Sequence, residues 1–168
     1  MKKSYTWILI GLVLSYLNIP LTIFDWITSI FGYLLIFFVI FRLNQQKPHQ
    51  YLELSKYLCL GLLCFELLKQ GFYNLVGNDS TYAFLLVLGL FTVQFLIYYL
   101  IIKSAADESE SLDLQTYQQE YLIIAMSVII IYILTCFFPS IFWLLMGCQV
   151  IEFGLLCYIF YYLRTHMK

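Results

Sequence analysis

Apolar residues run along this chain in long continuous stretches, separated by short polar breaks rather than alternating with polar positions. A helix that crosses about 30 Å of hydrocarbon needs about 20 mostly apolar residues. Segments of that kind lie at Tyr5–Leu21, Trp26–Leu43, Leu54–Leu75, Tyr82–Ile102, Tyr121–Phe138 and Ile141–Leu163. The alternation over about 10 residues that marks a membrane β-barrel strand is missing. The pattern predicts an all-α fold: a polytopic membrane helix bundle, one transmembrane domain over 1–168, with six transmembrane helices.

The first two spans are interrupted only by Asn18, Pro20 and Asp25. A tight helical hairpin fits, with Pro20 ending the first helix because it has no N–H to donate. Two half-penetrating helices fit as well, and both arrangements leave the flanks on one side. Lys2 and Lys3 ahead of an apolar stretch resemble a signal peptide. Ser15-Tyr16-Leu17-Asn18 offers no small-x-small cleavage site, so a retained first helix is expected.

Composition agrees with the pattern. The chain is 62% apolar and 11% charged, against about 45–50% and about 25% in soluble domains. Charge then supplies an orientation. Lys2, Lys3, Arg42, Lys47, Lys56, Lys103, Arg164 and Lys168 all fall on one side of a six-span arrangement, and the ninth basic residue, Lys69, falls inside a span. The opposite loops, around Thr22–Asp25, Val76–Thr81 and Phe138–Ser140, carry none. By the positive-inside rule both termini are expected in the cytoplasm of a cell that carries the protein in its plasma membrane. Tyr5, Trp7, Tyr57, Tyr98, Tyr99, Tyr117, Tyr121, Tyr158, Tyr161 and Tyr162 are expected near the cytoplasmic interface. Trp26, Tyr73, Tyr82 and Trp143 are expected near the other. The longest connection expected is Lys103–Glu120, an acidic stretch that serves as a solvated connector or docks a basic partner.

The informative residues are charges where charges are costly. An ionised side chain at the centre of a membrane helix costs about 2.5–3.5 kcal/mol on insertion scales, so it faces protein or water. Glu66 and Lys69 lie within the third span and Glu152 within the sixth, with Gln70, Gln94 and Gln149 as uncharged polar neighbours. Glu66, Gln94 and Glu152 fall near mid-span, while Lys69 and Gln149 are about 4.5 Å further outward at helical rise. Glu66 shares a helix face with Lys69, and Gln149 shares one with Glu152. If those faces meet, Glu66, Lys69, Gln94, Gln149 and Glu152 form a candidate ligand or proton site, in which two carboxylates beside one lysine do not both ionise cheaply. The alternative is structural: Glu66 and Lys69 neutralise each other along one helix, Lys69 snorkels outward, and Glu152 bonds an amide as packing glue.

Weaker signals complete the pattern. Gly11 and Ser15 form a small-xxx-small pair able to seat a neighbouring helix, and Gly147 and Gly154 permit close backbone approach along the sixth span. The five cysteines, none in a Cys-x-x-Cys pair, read as small apolar fillers. His49 and His166 stand singly outside the spans, which supports neither a metal site nor an intramembrane general base. No His-Glu-x-x-His, Gly-flanked serine or paired thiol motif occurs, so no enzyme and no cofactor is expected. A net charge of -1 gives no electrostatic footprint for nucleic acid.

Two function classes remain. One is a small-solute or proton-coupled transport or binding protein that uses the midplane cluster. The other is a structural or regulatory subunit that binds another membrane protein, or a second copy of itself, through helix faces. In either case the lipid bilayer is a partner.

Asn18-Ile19, Asp25 and Phe31-Gly32-Tyr33-Leu34-Leu35-Ile36, ending at Arg42-Leu43, resemble the start of small uncharacterised multi-pass membrane proteins of low-GC Gram-positive bacteria. The resemblance covers about the first 45 residues. It departs at Thr28-Ser29, where those proteins often carry Pro-Asp. It implies a bacterial cell-membrane location and no particular activity. In size and helix number the chain is also similar to the substrate-binding subunits of energy-coupling-factor vitamin transporters. Trp7–Leu17 lacks their alanine-rich docking motif.

Overall fold

The computed structural model describes residues 2–16, 22–76, 80–109 and 111–166, with side chains over 4–15, 27–68, 84–109 and 111–166. The regular elements among them are all helical: α1 (Lys2–Tyr16), α2 (Thr22–Gln46), α3 (Gln50–Val76), α4 (Ser80–Ser109), α5 (Leu112–Thr135) and α6 (Phe142–His166). One short 3-10 turn, Pro139–Ile141, precedes α6. The all-α class is therefore observed. Among the described residues, Ile27–Gln46, Phe84–Ser109, Leu112–Thr135 and Pro139–His166 are long and apolar enough to cross a membrane. Ser4–Ser15 is apolar but shorter. Of the expected first turn, Asn18 and Pro20 lie outside the described residues, as does Glu110 of the acidic stretch.

Helix ends follow local chemistry. Pro48 lacks an N–H and disfavours helical geometry in the residue before it, so α2 stops ahead of it. The chain then turns on side-chain acceptors: the His49 N–H donates to Asn44 Oδ1 at 3.1 Å, and the Tyr51 N–H donates to His49 Nδ1 at 3.3 Å. Glu53 sits in the first turn of α3, where a negative charge complements the helix dipole. After α5 the turn tightens, with the Phe137 and Phe138 N–H groups both donating to Leu134 O at 3.0 and 2.9 Å. Pro139 then opens the 3-10 turn.

Two expected breaks are helical instead. The backbone of Thr22–Asp25 already belongs to α2. The stretch expected as a loop at Lys103–Glu120 is nearly all helix, since α4 continues to Ser109 and α5 begins at Leu112. Hydrophobicity stops at Ile102, but the helix does not. Ser104, Ala105 and Ala106 are buried, and alanine is the best helix former. The acids that follow find partners across the bundle: Glu108 pairs with Lys47, and Asp107 Oδ2 lies 4.0 Å from His49 Nε2.

Consecutive helices pack side by side, and α6 returns to pack against α1. Short connections make neighbours antiparallel. The result is a closed six-helix ring with α3 opposite α6 and α1 opposite α4. The start of α1 and the end of α6 lie at the end of the ring that holds the Lys47–Glu108 pair. There Lys103 Nζ stands 4.4 Å from the centre of the Tyr51 ring, and Tyr162 donates to Asp113 Oδ2 at 3.1 Å.

The ring is apolar outside and partly polar inside. Phe31, Phe38, Leu68, Leu85, Ile123, Trp143 and Val150 are exposed, while Ser29, Ser55, Glu66, Gln94, Ser104 and Glu152 are buried. A soluble domain does not expose so continuous an apolar surface. A helix that is apolar all round fits the bilayer. Inward positions recur in steps of three and four, as helix bundles require: Leu52, Ser55, Cys59, Leu62 and Glu66 on α3, then Glu152, Leu156, Ile159 and Leu163 on α6.

The small residues divide. Gly11 and Ser15 seat α2 as expected, and Gly32 is their counterpart. A Cβ on Gly32 would lie 2.8 Å from both Gly11 O and Ser15 N, so the two backbones touch. Gly147 and Gly154 do not serve as expected. A Cβ on either meets nothing within 4 Å, because both are on the outward face of α6. Gly147→Ala and Gly154→Ala should therefore leave the fold intact and raise helix stability by about 1 kcal/mol each, the propensity difference. Thermal unfolding in detergent micelles checks this, and a lower midpoint would show that these glycines pack against something.

Candidate functional site

The inward seams of α3 and α6 bring two carboxyl groups into the ring, and α4 places an amide between them. Glu66 is 6% exposed, Gln94 9% and Glu152 1%. These three of the five expected residues are inside. Gln149 is only partly buried on α6 and joins no hydrogen bond of the cluster among the described residues. The side chains of Lys69 and Gln70 lie outside the described residues. The α3 and α6 faces do not pack as neighbours. They look at one another across the ring, and the space between is bridged by residues from α1, α2, α4 and α5.

Those bridging residues are mostly tyrosines. Tyr33 on α2 donates its hydroxyl proton to Gln94 Oε1 at 3.2 Å. Gln94 interacts with Tyr98, one helical turn on along α4. Tyr98 lies 3.3 Å from Ser15 Oγ on α1. Ser15 spends its only hydroxyl proton on Leu12 O at 2.9 Å, so Tyr98 is the donor in that pair. Two hydrogen bonds thus tie α4 to other helices, Tyr33–Gln94 to α2 and Tyr98–Ser15 to α1. Glu66 interacts electrostatically with Tyr33, and Glu152 does so with Tyr98. Glu152 Oε1 also accepts from the Tyr121 hydroxyl of α5 at 3.3 Å, with Phe95 O a second acceptor for that hydroxyl at 3.5 Å.

Tyr98 and Tyr121 correct the interfacial assignment made from the sequence. They are 1% and 0% exposed and sit in the ring interior; Tyr5 is buried too. Trp7, Tyr57, Tyr158 and Tyr161 are exposed. The side chains of Trp26, Tyr73 and Tyr82 lie outside the described residues. Helical spacing held a signal for the buried pair. Tyr98 follows Gln94 by one turn, and Tyr121 precedes the buried Ala125 and Val128 on one face of α5. Tyr33, next to the glycine that seats α1, carried no such signal. A mainly aliphatic wall surrounds the network, with Ile36, Leu62, Phe95, Leu156 and Phe160 all buried. The five cysteines are free, and Cys59 donates its thiol proton to Tyr33 O at 3.3 Å.

Chemically, the arrangement offers two acids, three phenolic hydroxyls, one serine and one amide, enclosed away from lipid. Carboxyl and hydroxyl groups both give and accept protons, whereas an amide offers an acceptor at one end and donors at the other. No protein-family model, curated protein or solved structure matches the chain.

Proposed function

We propose that this is a six-span protein of a bacterial plasma membrane, with both termini cytoplasmic, that takes a proton or a small polar solute at Glu66 and Glu152. The number of spans is supported by packing. α3 lies between α2 and α4 and is 27 residues long, so it traverses the slab that they traverse. α1 is shorter, at 15 residues, but it packs against two crossing helices, α2 and α6. Orientation is supported by Lys47, Lys103 and Arg164, which lie at the end of the ring where α1 starts and α6 ends.

The observation that carries the functional reading is the pair of enclosed carboxyls on opposite sides of the ring, Glu66 interacting electrostatically with Tyr33 and Glu152 accepting from Tyr121. Two acids inside a membrane bundle are costly to insert, and helix packing alone is met more cheaply by apolar or small residues. Lys69 and Gln149 are secondary in this reading, and Tyr33 and Tyr121 take their place beside the two acids.

The test is flux. Protein reconstituted in liposomes loaded with a pH dye is given an imposed membrane potential. The measurement is made with and without a mixture of amino acids, hexoses and nucleosides. Wild type is expected to move protons at least tenfold faster than empty liposomes in one of the two conditions. Glu152→Gln is expected to fall to the empty-liposome rate while remaining helical and monodisperse. Equal rates for wild type and variant in both conditions would remove the reading and leave a structural or regulatory role.

A further inference from the structure

This inference concerns the rim of the bundle; it rests on the helices crossing a bilayer and not on the use of Glu66 and Glu152. Charge is unevenly spread around the ring at the end where α1 starts and α6 ends. The described acids of that end stand on three successive helices: Glu53 on α3, Asp107 and Glu108 on α4, Asp113 and Glu120 on α5. The remaining sector, in which α1 packs between α6 and α2, has none, since no Asp or Glu occurs in 2–16, 26–46 or 153–166. It carries Lys2, Lys3, Arg42 and Arg164 instead. The positive-inside rule counts basic residues only and leaves acids free to mix with them. The segregation is therefore a separate feature.

The Gly11–Gly32 crossing sets the height of these cations. The two backbones touch there, and in an antiparallel pair a step toward the start of α1 is a step toward the end of α2. Lys3, Trp7 and Gly11 follow one strip of α1, and Gly32, Leu35, Val39 and Arg42 follow one strip of α2, all in steps of three or four. Trp7 is thus level with Phe38. The position of Lys3 is level with Arg42, about 15 Å from the crossing at helical rise. Trp7, Phe38 and Arg42 are exposed, and among the described residues Arg42 has no ion pair. By contrast Lys47 pairs with Glu108, and Lys56 and Lys103 stand over tyrosine rings.

We propose that the outward groove between α1 and α2 holds an anionic phospholipid from the leaflet at this end. Arg42 takes the phosphate, for which a guanidinium offers two parallel N–H donors. Trp7 sits at the depth of the glycerol, where an indole is at home, and the Phe38 ring lies along the acyl chain. A zwitterionic headgroup brings its own cation to the phosphate and gains less from an acid-free basic surface. On α3, α4 and α5, acids interleaved with the cations remove the preference.

The experiment uses Trp7 as the reporter in the full chain, with Trp26→Phe and Trp143→Phe removing the other two indoles. The protein is reconstituted in phosphatidylcholine vesicles containing phosphatidylglycerol brominated on its acyl chains, then in vesicles with the same share of brominated phosphatidylcholine. Bromine quenches an indole that it touches, so the ratio of the two quenching curves gives the relative occupancy of the groove. Phosphatidylglycerol should be preferred by about fivefold, the effect of one surface cation on an anionic lipid. Arg42→Gln should lower that preference by at least about twofold, and Arg42→Lys should keep most of it. Lys56→Gln, the same change of charge at the same end of the ring, should leave it unaltered. Equal quenching by the two lipids would overturn the inference. So would a loss with Lys56→Gln as large as with Arg42→Gln, because the attraction would then belong to the whole end of the ring. Quenching by neither lipid would remove the membrane reading as well. Loss of proton flux with the preference intact removes only the function proposed above.

Discussion

Gly32→Ala, a change of one methyl group, should detach α1 from the bundle. The added Cβ would stand 2.8 Å from Gly11 O, 2.8 Å from Ser15 N and 3.1 Å from Ser15 Cα, all backbone atoms of α1. A flexible side chain can turn away from such a contact, but a helix backbone cannot. Relief therefore requires the whole of α1 to move outward. Overpacking of this kind costs about 1–3 kcal/mol, and Gly32→Leu should exceed that range. Gly11→Ala should be destabilising but milder, since its Cβ would meet one close backbone atom, Gly32 O at 2.9 Å, and the yielding side chain of Ile36 at 2.8 Å. Gly89→Ala is the control, because a Cβ there meets nothing within 4 Å. Thermal unfolding in micelles should rank Gly32→Ala below Gly11→Ala, Gly11→Ala below wild type, and Gly89→Ala at or above wild type. A wild-type midpoint for Gly32→Ala would mean that the two helices do not touch at this crossing. The site should feel the change as well, because Ser15, which accepts from Tyr98, is on the displaced helix.

The same particulars show what could be read from the sequence. The inward position of Glu66 was legible because it extends the series Leu52, Ser55, Cys59, Leu62 in helical steps, and Gly11 with Ser15 named the crossing. The mid-helix positions of Glu66, Gln94 and Glu152 followed from span midpoints. Other features were not legible, for physical reasons. A tyrosine suits both a headgroup interface and a buried hydrogen bond, so Tyr98 and Tyr121 read equally well either way. An exposed glycine and a packing glycine look identical in a sequence, so Gly147 read like Gly11. The ends of α4 and α5 were missed because a hydropathy limit marks where lipid contact stops, not where hydrogen bonding along the helix stops. The part played by Tyr33 was missed because a tyrosine beside a packing glycine carries no mark of what it bonds.

Replacing both partners of the Glu152–Tyr121 hydrogen bond should cost far less than replacing one. Glu152→Leu removes the acceptor 3.3 Å from a fully buried hydroxyl. A buried donor left without its acceptor costs about 1–3 kcal/mol. Phe95 O at 3.5 Å offers Tyr121 a weaker acceptor, which places the loss toward the lower end. Against it stands the removal of a midplane acid, itself costly to keep in a membrane helix. Adding Tyr121→Phe takes away the stranded hydroxyl, so the double variant should return to within about 1 kcal/mol of wild type or exceed it. A double-mutant cycle on unfolding in micelles measures that recovery. If the cycle closes this way while the double variant moves protons no faster than empty liposomes, stability does not explain why the acid is there, and proton handling does. A double variant much less stable than either single one would make Glu152 and Tyr121 a structural tie between α5 and α6.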